Sequence, residues 1–211
     1  AGCPVIVKSH PMHAGTGELV ASAIIKAAKD TGMPEGVFSN LNSSGIEVGQ
    51  QLVSHPKVKG VGFTGSINGG RALYDLAAKR DEPIPVFAEM GSINPVIITK
   101  KALEKRASEI ASTYAGSITL GTGQFCTNPG LILTLESDFA SKFIDELGEK
   151  TANIDSFCML HPNIHSAFNK KGAEVIEQPE TTLVTEYKGD VPQNYAKAKV
   201  VTAKGDAFLK N

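Results

Sequence analysis

The feature that most constrains the fold is the alternation of short apolar runs with helical apolar stripes along the first ninety residues. Four runs rich in Val, Ile and Phe have the length and boundaries of buried strands: Val5–Lys8, Val37–Leu41, Val58–Phe63 and Ile84–Ala88. Helical patterns fill the gaps: residues 19–28, with Thr16 as a candidate N-cap and Gly32 as a stop, then Ile46–Val53 and Arg71–Ala78. Because alternating strands and helices form parallel sheets through right-handed crossovers, the sequence predicts an α/β fold.

The same alternation starts again after Glu89. The predicted strands are Asn94–Thr99 and Leu131–Leu135, and the predicted helices are Ala102–Ile118 and Asp138–Leu147. After about residue 155 the periodicity weakens, and Val200–Thr202 is a further strand candidate. Because the turn EMGSINP interrupts the two blocks, we expect two domains, residues 1–89 and 90–211.

Charge and composition exclude several classes of protein. The 21 Lys and Arg residues against 22 Asp and Glu leave a net charge of −1, which argues against a nucleic-acid partner. No apolar run approaches the roughly 18 residues of a membrane span, and the amino terminus AGCPVIVKSHPMH lacks the basic stretch of a targeting peptide. Three sparse cysteines favour a reducing compartment over a disulfide scaffold. We therefore expect a soluble, cytoplasmic protein without a membrane or nucleic-acid partner.

Two glycine-rich segments are the first candidates for chemistry. The segment Gly65–Gly70 (GSINGG) follows a predicted strand and opens a helix, a position where backbone N–H groups bind phosphate. Its spacing is not G-x-G-x-x-G, so a turn without a ligand is an equal alternative. Cys126, in GTGQFCTNPG, is a candidate nucleophile, and the alternative is a small buried hydrophobe. The buried interpretation is the one we favour for Cys3 and Cys158.

Charged residues at the ends of predicted strands are the second set of candidates. Glu89 and Lys8 lie where α/β sheets bind ligands. Glu89 is either a general base or a solvated strand end, and Lys8 either grips a ribose or phosphate or is an ordinary surface lysine. Cys158, His161 and His165 superficially have a metal spacing, but a fourth ligand and a paired cysteine are missing, so we expect no metal site.

Taken together, these segments resemble the aldehyde dehydrogenase superfamily. The matching elements are, in order, VIVKSHP, GFTGSINGG, EMGSINP and GQFCTNPG, and the match is strong from Val5 to about Leu135. The variants EMGSINP and GQFCTNPG look most like the branch with 2-oxoglutarate semialdehyde (2,5-dioxovalerate) dehydrogenases and bacterial NADP-dependent fatty aldehyde dehydrogenases. The resemblance implies a Rossmann-type cofactor domain at residues 1–89 and an α/β catalytic domain at residues 90–211, both incomplete. It also implies that the chain is the central part of a longer enzyme.

The resemblance assigns roles to the matching residues. Cys126 is similar to the nucleophile and Glu89 to the general base, and Lys8 is similar to a residue that binds the adenosine ribose or its 2′-phosphate. Many NAD-preferring relatives have a Glu where this sequence has Pro11, so the resemblance favours NADP at least equally with NAD. The other cofactor-binding candidates are Ser9 and His10 as donors to a 2′-phosphate, Gly65, Gly69 and Gly70 at the phosphates, Phe63, Thr64 and Ser66 near the nicotinamide, and Gly91 in the pocket wall.

The implied reaction oxidises a small-molecule aldehyde to a carboxylic acid through a cysteine thiohemiacetal and thioester. The substrate that the resemblance favours is 2-oxoglutarate semialdehyde, and a long-chain aliphatic aldehyde is the alternative. A non-catalytic dinucleotide-binding or interaction module of the same family is an alternative of another class. The resemblance also implies a homo-oligomer, either a dimer or a tetramer.

Overall fold

The computed structural model describes residues 2–210, and it has the α/β fold that the sequence predicts. The chain divides into two compact units, Ala1–Gly91 and Ser92–Asn211. Ala1 and Asn211, the outer ends of the two expected domains, lie outside the described residues. Within residues 2–210, no helix has both the length and the apolar composition that crossing a membrane requires. The assignment of one domain to the cofactor and the other to catalysis stays a prediction.

Strands and helices alternate through the first unit. In chain order they are β1 (Val5–Lys8), α1 (Ala14–Asp30), β2 (Phe38–Leu41), α2 (Glu47–Ser54), β3 (Val61–Gly65), α3 (Ile67–Ala78) and β4 (Val86–Met90). β1 pairs with β2 and β3 with β4, both in parallel, and helices α1 and α3 make the crossovers that parallel pairs need. The register of the second pair places Thr64 opposite Glu89 near the carboxyl ends of β3 and β4.

Two apolar residues lie before their strands rather than in them. The predicted strands that begin at Val58 and Ile84 therefore start too early, because β3 and β4 begin later in the chain. Ile84 is buried in a small core with Val53 and Ala77, and Val58 packs against that core. Loop residues that fill a core are as apolar as strand residues, so an apolar run alone does not separate the two.

The first helix begins before its predicted N-cap. A short 3₁₀ turn, Pro11–His13, leads directly into α1, and Nδ1 of His10 accepts a hydrogen bond from the Met12 N–H at 3.2 Å. The prediction of Thr16 as the N-cap is therefore wrong, because Pro11 already starts the helical backbone with its fixed φ angle. The predicted stop is confirmed, since α1 ends at Asp30 and Gly32 follows with φ of +69°.

The second unit contains a parallel strand pair, an antiparallel strand pair and four helices among its described residues. In chain order the elements are β5 (Val96–Ile98), α4 (Lys100–Thr119), β6 (Ile132–Thr134), α5 (Asp138–Ala152), α6 (Pro162–Ile176), β7 (Thr181–Glu186), β8 (Lys199–Ala203) and α7 (Gly205–Phe208). β5 and β6 are parallel, whereas β7 and β8 are antiparallel. The core between α4, α5 and β5 contains Ile98, Leu103, Ala111, Tyr114, Phe143 and Leu147.

Helix α6 and strand β7 are the elements that the sequence pattern did not predict. Every residue of α6 stays at least partly exposed, and Lys171 and Gly172 interrupt its apolar residues in the middle of the helix, which weakens the periodic pattern. A capping signal was nevertheless present. Nδ1 of His161 accepts a hydrogen bond from the Asn163 N–H at 3.0 Å, and Pro162 occupies the first turn. β7 is the partner of β8, which contains the predicted strand Val200–Thr202.

Candidate functional site

Cys126 lies on an exposed loop of the second unit, between α4 and β6. The loop opens with a 3₁₀ turn whose glycines Gly121 and Gly123 have φ of +57° and +70°, which few other residues adopt without strain. The Gln124 N–H donates to the Gly121 carbonyl at 3.2 Å and closes this turn. Cys126 is an exposed residue, so its interpretation as a buried hydrophobe is wrong, and a nucleophile remains compatible with its exposure.

The segment Ser92–Asn94 holds the backbone around Cys126. The Ser92 hydroxyl donates to the Cys126 carbonyl oxygen, and Nδ2 of Asn94 donates to the same oxygen at 2.8 Å. Nδ2 of Asn94 also donates to the Asn128 carbonyl at 3.0 Å. In the opposite direction, the Gly130 N–H donates to the Ile93 carbonyl at 3.2 Å. Within the second unit, these bonds join the Ser92–Asn94 part of EMGSINP directly to the motif GQFCTNPG.

Two further side chains fix the same loop. Oε1 of Gln124 accepts a hydrogen bond from the Leu160 N–H at 2.9 Å, and Nε2 donates to the Gly121 carbonyl at 3.0 Å. The Tyr114 hydroxyl, on α4, donates to the Pro129 carbonyl. The roles of Gln124, Ser92 and Asn94 were not predicted from the sequence. The available signal was the presence of hydrogen-bonding side chains inside short glycine-containing motifs.

Glu89 is an exposed residue near the carboxyl end of β4 in the first unit. Its neighbour across the parallel pair is Thr64. Gly91 follows the strand with φ of +65°, and an ideal Cβ at Gly91 would lie 3.7 Å from the Ile67 side chain. The structure therefore places Glu89, Thr64 and Gly91 at one end of the β3 and β4 pair, where ligands of parallel sheets bind.

The glycine-rich segment after β3 is mostly helix rather than turn. We expected the helix to open at Arg71, but α3 begins at Ile67, and Ser66 caps it by accepting the Gly69 N–H at 3.1 Å. The free N–H groups of this first turn give the segment the partial positive charge that suits a phosphate.

Gly69 and Gly70 are both close to other side chains, but the neighbours differ. An ideal Cβ at Gly69 would lie 3.0 Å from Cζ of Phe63, so the Phe63 ring lies against the start of α3. Gly70 is buried, and a Cβ there would lie 2.3 Å from the Met90 Sδ atom and 3.2 Å from the Ala88 Cβ atom. Gly70 therefore allows α3 to pack closely on β4.

An open groove of about 390 Å³ runs along β1 and α1 in the first unit. Its polar lining includes Lys8, Ser9, His10, His13, Thr16 and Asn40, and apolar residues of α1 complete the wall. Ser9 is only 4% exposed, and its hydroxyl donates to Oδ1 of Asn40 at 2.7 Å. Nδ2 of Asn40 in turn donates to Oε2 of Glu18 at 3.1 Å. The Ser9 hydrogen is thus already used, whereas Lys8 and His10 present polar groups at the groove.

The remaining cysteine and histidine candidates form no candidate site among the described residues. Cys3 and Cys158 are both exposed, so the expectation that they are buried is wrong. Cys3 lies in a bend before β1, and Cys158 forms an isolated antiparallel bridge with Tyr195, so both are outside the helices and strands. His161 caps α6, and Nε2 of His165 lies 3.1 Å from the Tyr195 carbonyl oxygen. Among residues 2–210, no group of three or more His, Cys, Asp or Glu side chains is placed to hold a metal ion.

Comparison with known proteins agrees with the motif analysis. Residues 1–183 match the profile described as "Aldehyde dehydrogenase family". The chain is 48% identical over 179 residues to alpha-ketoglutaric semialdehyde dehydrogenase 2 of Azospirillum brasilense, which covers 85% of this chain and 34% of the relative. It is 46% identical over 161 residues to alpha-ketoglutaric semialdehyde dehydrogenase of Acinetobacter baylyi. That match covers 76% of this chain and 30% of the relative. The chain thus spans about a third of the length of these curated relatives.

Solved structures confirm the fold. An NAD-dependent benzaldehyde dehydrogenase from Corynebacterium glutamicum is similar with a TM-score of 0.77 at 22% identity, over 93% of this chain and 42% of that one. A glyceraldehyde-3-phosphate dehydrogenase from Methanocaldococcus jannaschii, solved in complex with NADP, is similar with a TM-score of 0.76 at 22% identity, over 97% of this chain and 44% of that one. The motifs, the fold and the family profile agree, and the chain belongs to the aldehyde dehydrogenase family.

Proposed function

We propose that the protein oxidises an aldehyde to a carboxylic acid with NADP or NAD, with Cys126 as the nucleophile and Glu89 as the general base. The observation that carries this proposal is the exposed thiol of Cys126 on a loop whose backbone is held by the neighbouring motif EMGSINP. An exposed cysteine on a restrained loop meets two requirements of a nucleophile, access to substrate and a defined position. Membership of the family supplies the reaction class.

Two side chains of this chain take part directly in the proposed bond-forming and proton-transfer steps. The Cys126 thiolate adds to the aldehyde carbon and forms a thiohemiacetal oxyanion, for which the Cys126 N–H is one hydrogen-bond donor. A bound nicotinamide supplies the hydride acceptor. The resulting Cys126 thioester is attacked by water as Glu89 takes a proton from that water, and the acid leaves as the thiol is restored.

The first unit has features that fit a dinucleotide. The groove along β1 and α1 combines an apolar wall with Lys8 and His10, and the first turn of α3 offers N–H groups for phosphate. Lys8 suits the ribose or its 2′-phosphate, and the uncharged Pro11 leaves room for the latter. We assign Ser9 a supporting role, because its hydroxyl donates to Asn40.

We propose 2-oxoglutarate semialdehyde as the substrate, because two relatives at 48% and 46% identity carry the name of alpha-ketoglutaric semialdehyde dehydrogenase. The test is stopped-flow absorbance of reduced cofactor in the whole protein, with 2-oxoglutarate semialdehyde, a long-chain aliphatic aldehyde and a short neutral aldehyde compared under each cofactor. We expect the highest kcat/KM with 2-oxoglutarate semialdehyde. A higher value with the long-chain aldehyde would contradict the substrate and leave the reaction intact.

The role of the thiol is tested in the same assay. Cys126→Ala should abolish the reduction of cofactor, because no thiohemiacetal can form to donate a hydride. Cys158→Ala is the matched control, since Cys158 is also exposed and should leave the reduction rate unchanged. Cofactor reduction at the parental rate by Cys126→Ala would refute the nucleophile. Cofactor binding without reduction of any aldehyde would favour a non-catalytic module.

A further inference from the structure

We propose that Ser92 and Asn94 are positioning residues for the Cys126 nucleophile. Both side chains donate to the Cys126 carbonyl oxygen, and through that oxygen they set the backbone conformation from which the thiol projects. This inference rests on the proposed function, because it concerns the geometry of the same nucleophile. According to this proposal, two side chains that follow Glu89 in the sequence help to position the sulfur of Cys126.

The peptides on both sides of Cys126 are held. The preceding peptide is fixed because the Asn128 N–H donates to the Phe125 carbonyl at 3.0 Å. Since the peptide is trans, this bond also fixes the direction of the Cys126 N–H, which points away from the Phe125 carbonyl. The following peptide is fixed by the two donors on the Cys126 carbonyl. With both peptide planes set, the φ and ψ angles of Cys126 and therefore its Cα–Cβ direction are set as well.

Asn94 is suited to this task by its conformation and its two amide hydrogens. It has φ of +49°, in the left-handed region that asparagine tolerates better than most residues. From there Nδ2 reaches the Cys126 carbonyl at 2.8 Å and the Asn128 carbonyl at 3.0 Å, one hydrogen for each acceptor. Asn94 thus spans the turn from Cys126 to Asn128, and Ser92 provides a second donor on Cys126 itself.

The functional consequence concerns the aldehyde, which must meet the sulfur and the Cys126 N–H at the same time. Attack by the sulfur creates the oxyanion that this N–H stabilises, so both groups have to keep one mutual geometry. A displacement of about 1 Å in such an arrangement can lower a rate by roughly a hundredfold. Loss of the two donors should therefore slow the chemical step while leaving the thiol present and exposed.

The first experiment compares variants of the whole protein by pre-steady-state reduction of cofactor. Asn94→Asp keeps the shape and the tolerance for positive φ but replaces both N–H donors with oxygen, and Ser92→Ala removes the second donor. We expect each to lower the burst rate constant by about 10- to 100-fold, with the KM for cofactor changed by less than about twofold. Ser92→Thr retains a hydroxyl and should recover most of the rate. Ser112→Ala is the matched control, since it removes a serine hydrogen bond within α4.

The second measurement separates positioning from damage to the thiol or the fold. Iodoacetamide reacts with an exposed thiol without needing a fixed orientation, and mass spectrometry of the peptides reports Cys126, Cys3 and Cys158 separately. We expect the Cys126 rate, relative to Cys158 in the same molecule, to stay within about threefold of the parental ratio in every variant. A fall in this ratio as large as the fall in burst rate would overturn the positioning role.

The two proposals fail in different ways. A parental protein that reduces neither NADP nor NAD with any of the three aldehydes contradicts the proposed function. A parental burst that persists at full rate in both Asn94→Asp and Ser92→Ala leaves the proposed function standing and refutes the role of Ser92 and Asn94.

Discussion

Replacing Gly70 with alanine tests how closely α3 packs on β4, the strand that carries Glu89. An added Cβ would lie 2.3 Å from the Met90 Sδ atom, 2.4 Å from its Cγ atom and 3.2 Å from the Ala88 Cβ atom. An alanine in an open helical position stabilises by about 0.5–1 kcal/mol, because glycine loses more backbone entropy on folding. Overpacking of a filled site costs about 1–3 kcal/mol. The Met90 side chain can move away, whereas the Ala88 Cβ atom is fixed to β4, so the net fall in the free energy of unfolding should be up to about 2.5 kcal/mol.

The assay is urea unfolding followed by far-ultraviolet circular dichroism, with Gly49→Ala as the matched control. Gly49 is a helical glycine of α2, and an ideal Cβ there would meet no atom within 4 Å. The control should raise the free energy of unfolding by about 0.5–1 kcal/mol. Glycine to alanine is thus expected to lower the free energy of unfolding at position 70 and to raise it at position 49.

A double variant identifies the atoms responsible. Combining Gly70→Ala with Met90→Ala removes the nearest clashing atoms, so the two changes should be coupled by more than about 0.5 kcal/mol. If Gly70→Ala is as stabilising as Gly49→Ala, the close packing of α3 on β4 is refuted. Gly70 would then have to be explained by the close approach of a cofactor phosphate instead.

Three further outcomes are expected. Burial raises the pKa of Tyr114 from its ordinary value of 10.0 to about 12, so the unfolded chain loses the proton first and stability should fall between those pH values. Urea titrations of Tyr114→Phe should lack that slope, and an identical slope would contradict the argument. In steady-state assays kcat/KM with NADP should equal or exceed the value with NAD, because Pro11 carries no carboxylate to repel a 2′-phosphate beside Lys8. A preference for NAD of roughly tenfold would oppose this. Glu89→Gln should accumulate the thioester and give a burst of about one reduced cofactor per site before slow turnover, and undiminished steady-state turnover would rule out Glu89 as the base.

Some residues of the candidate site could be predicted from short sequence motifs, and others could not. Cys126, Glu89 and the segment Gly65–Gly70 could be singled out because each combines a reactive or flexible residue with a predicted strand or helix end. The hydrogen bonds of Ser92 and Asn94 to Cys126 could not be predicted in the same way. The partners are more than thirty residues apart, and nothing in local periodicity indicates which loops meet.

The sequence by itself determined the α/β class, the order of most strands and helices, and membership of the family, because apolar periodicity and motif order are local properties of the chain. Tertiary structure decided which apolar residues lie in strands and which lie in loops that fill the core, as Val58 and Ile84 illustrate. It also decided that Ser9 is tied to Asn40 and that Gly70 serves packing against β4. These properties depend on neighbours brought together by folding, and a periodic pattern along one segment carries no information about the segment packed against it.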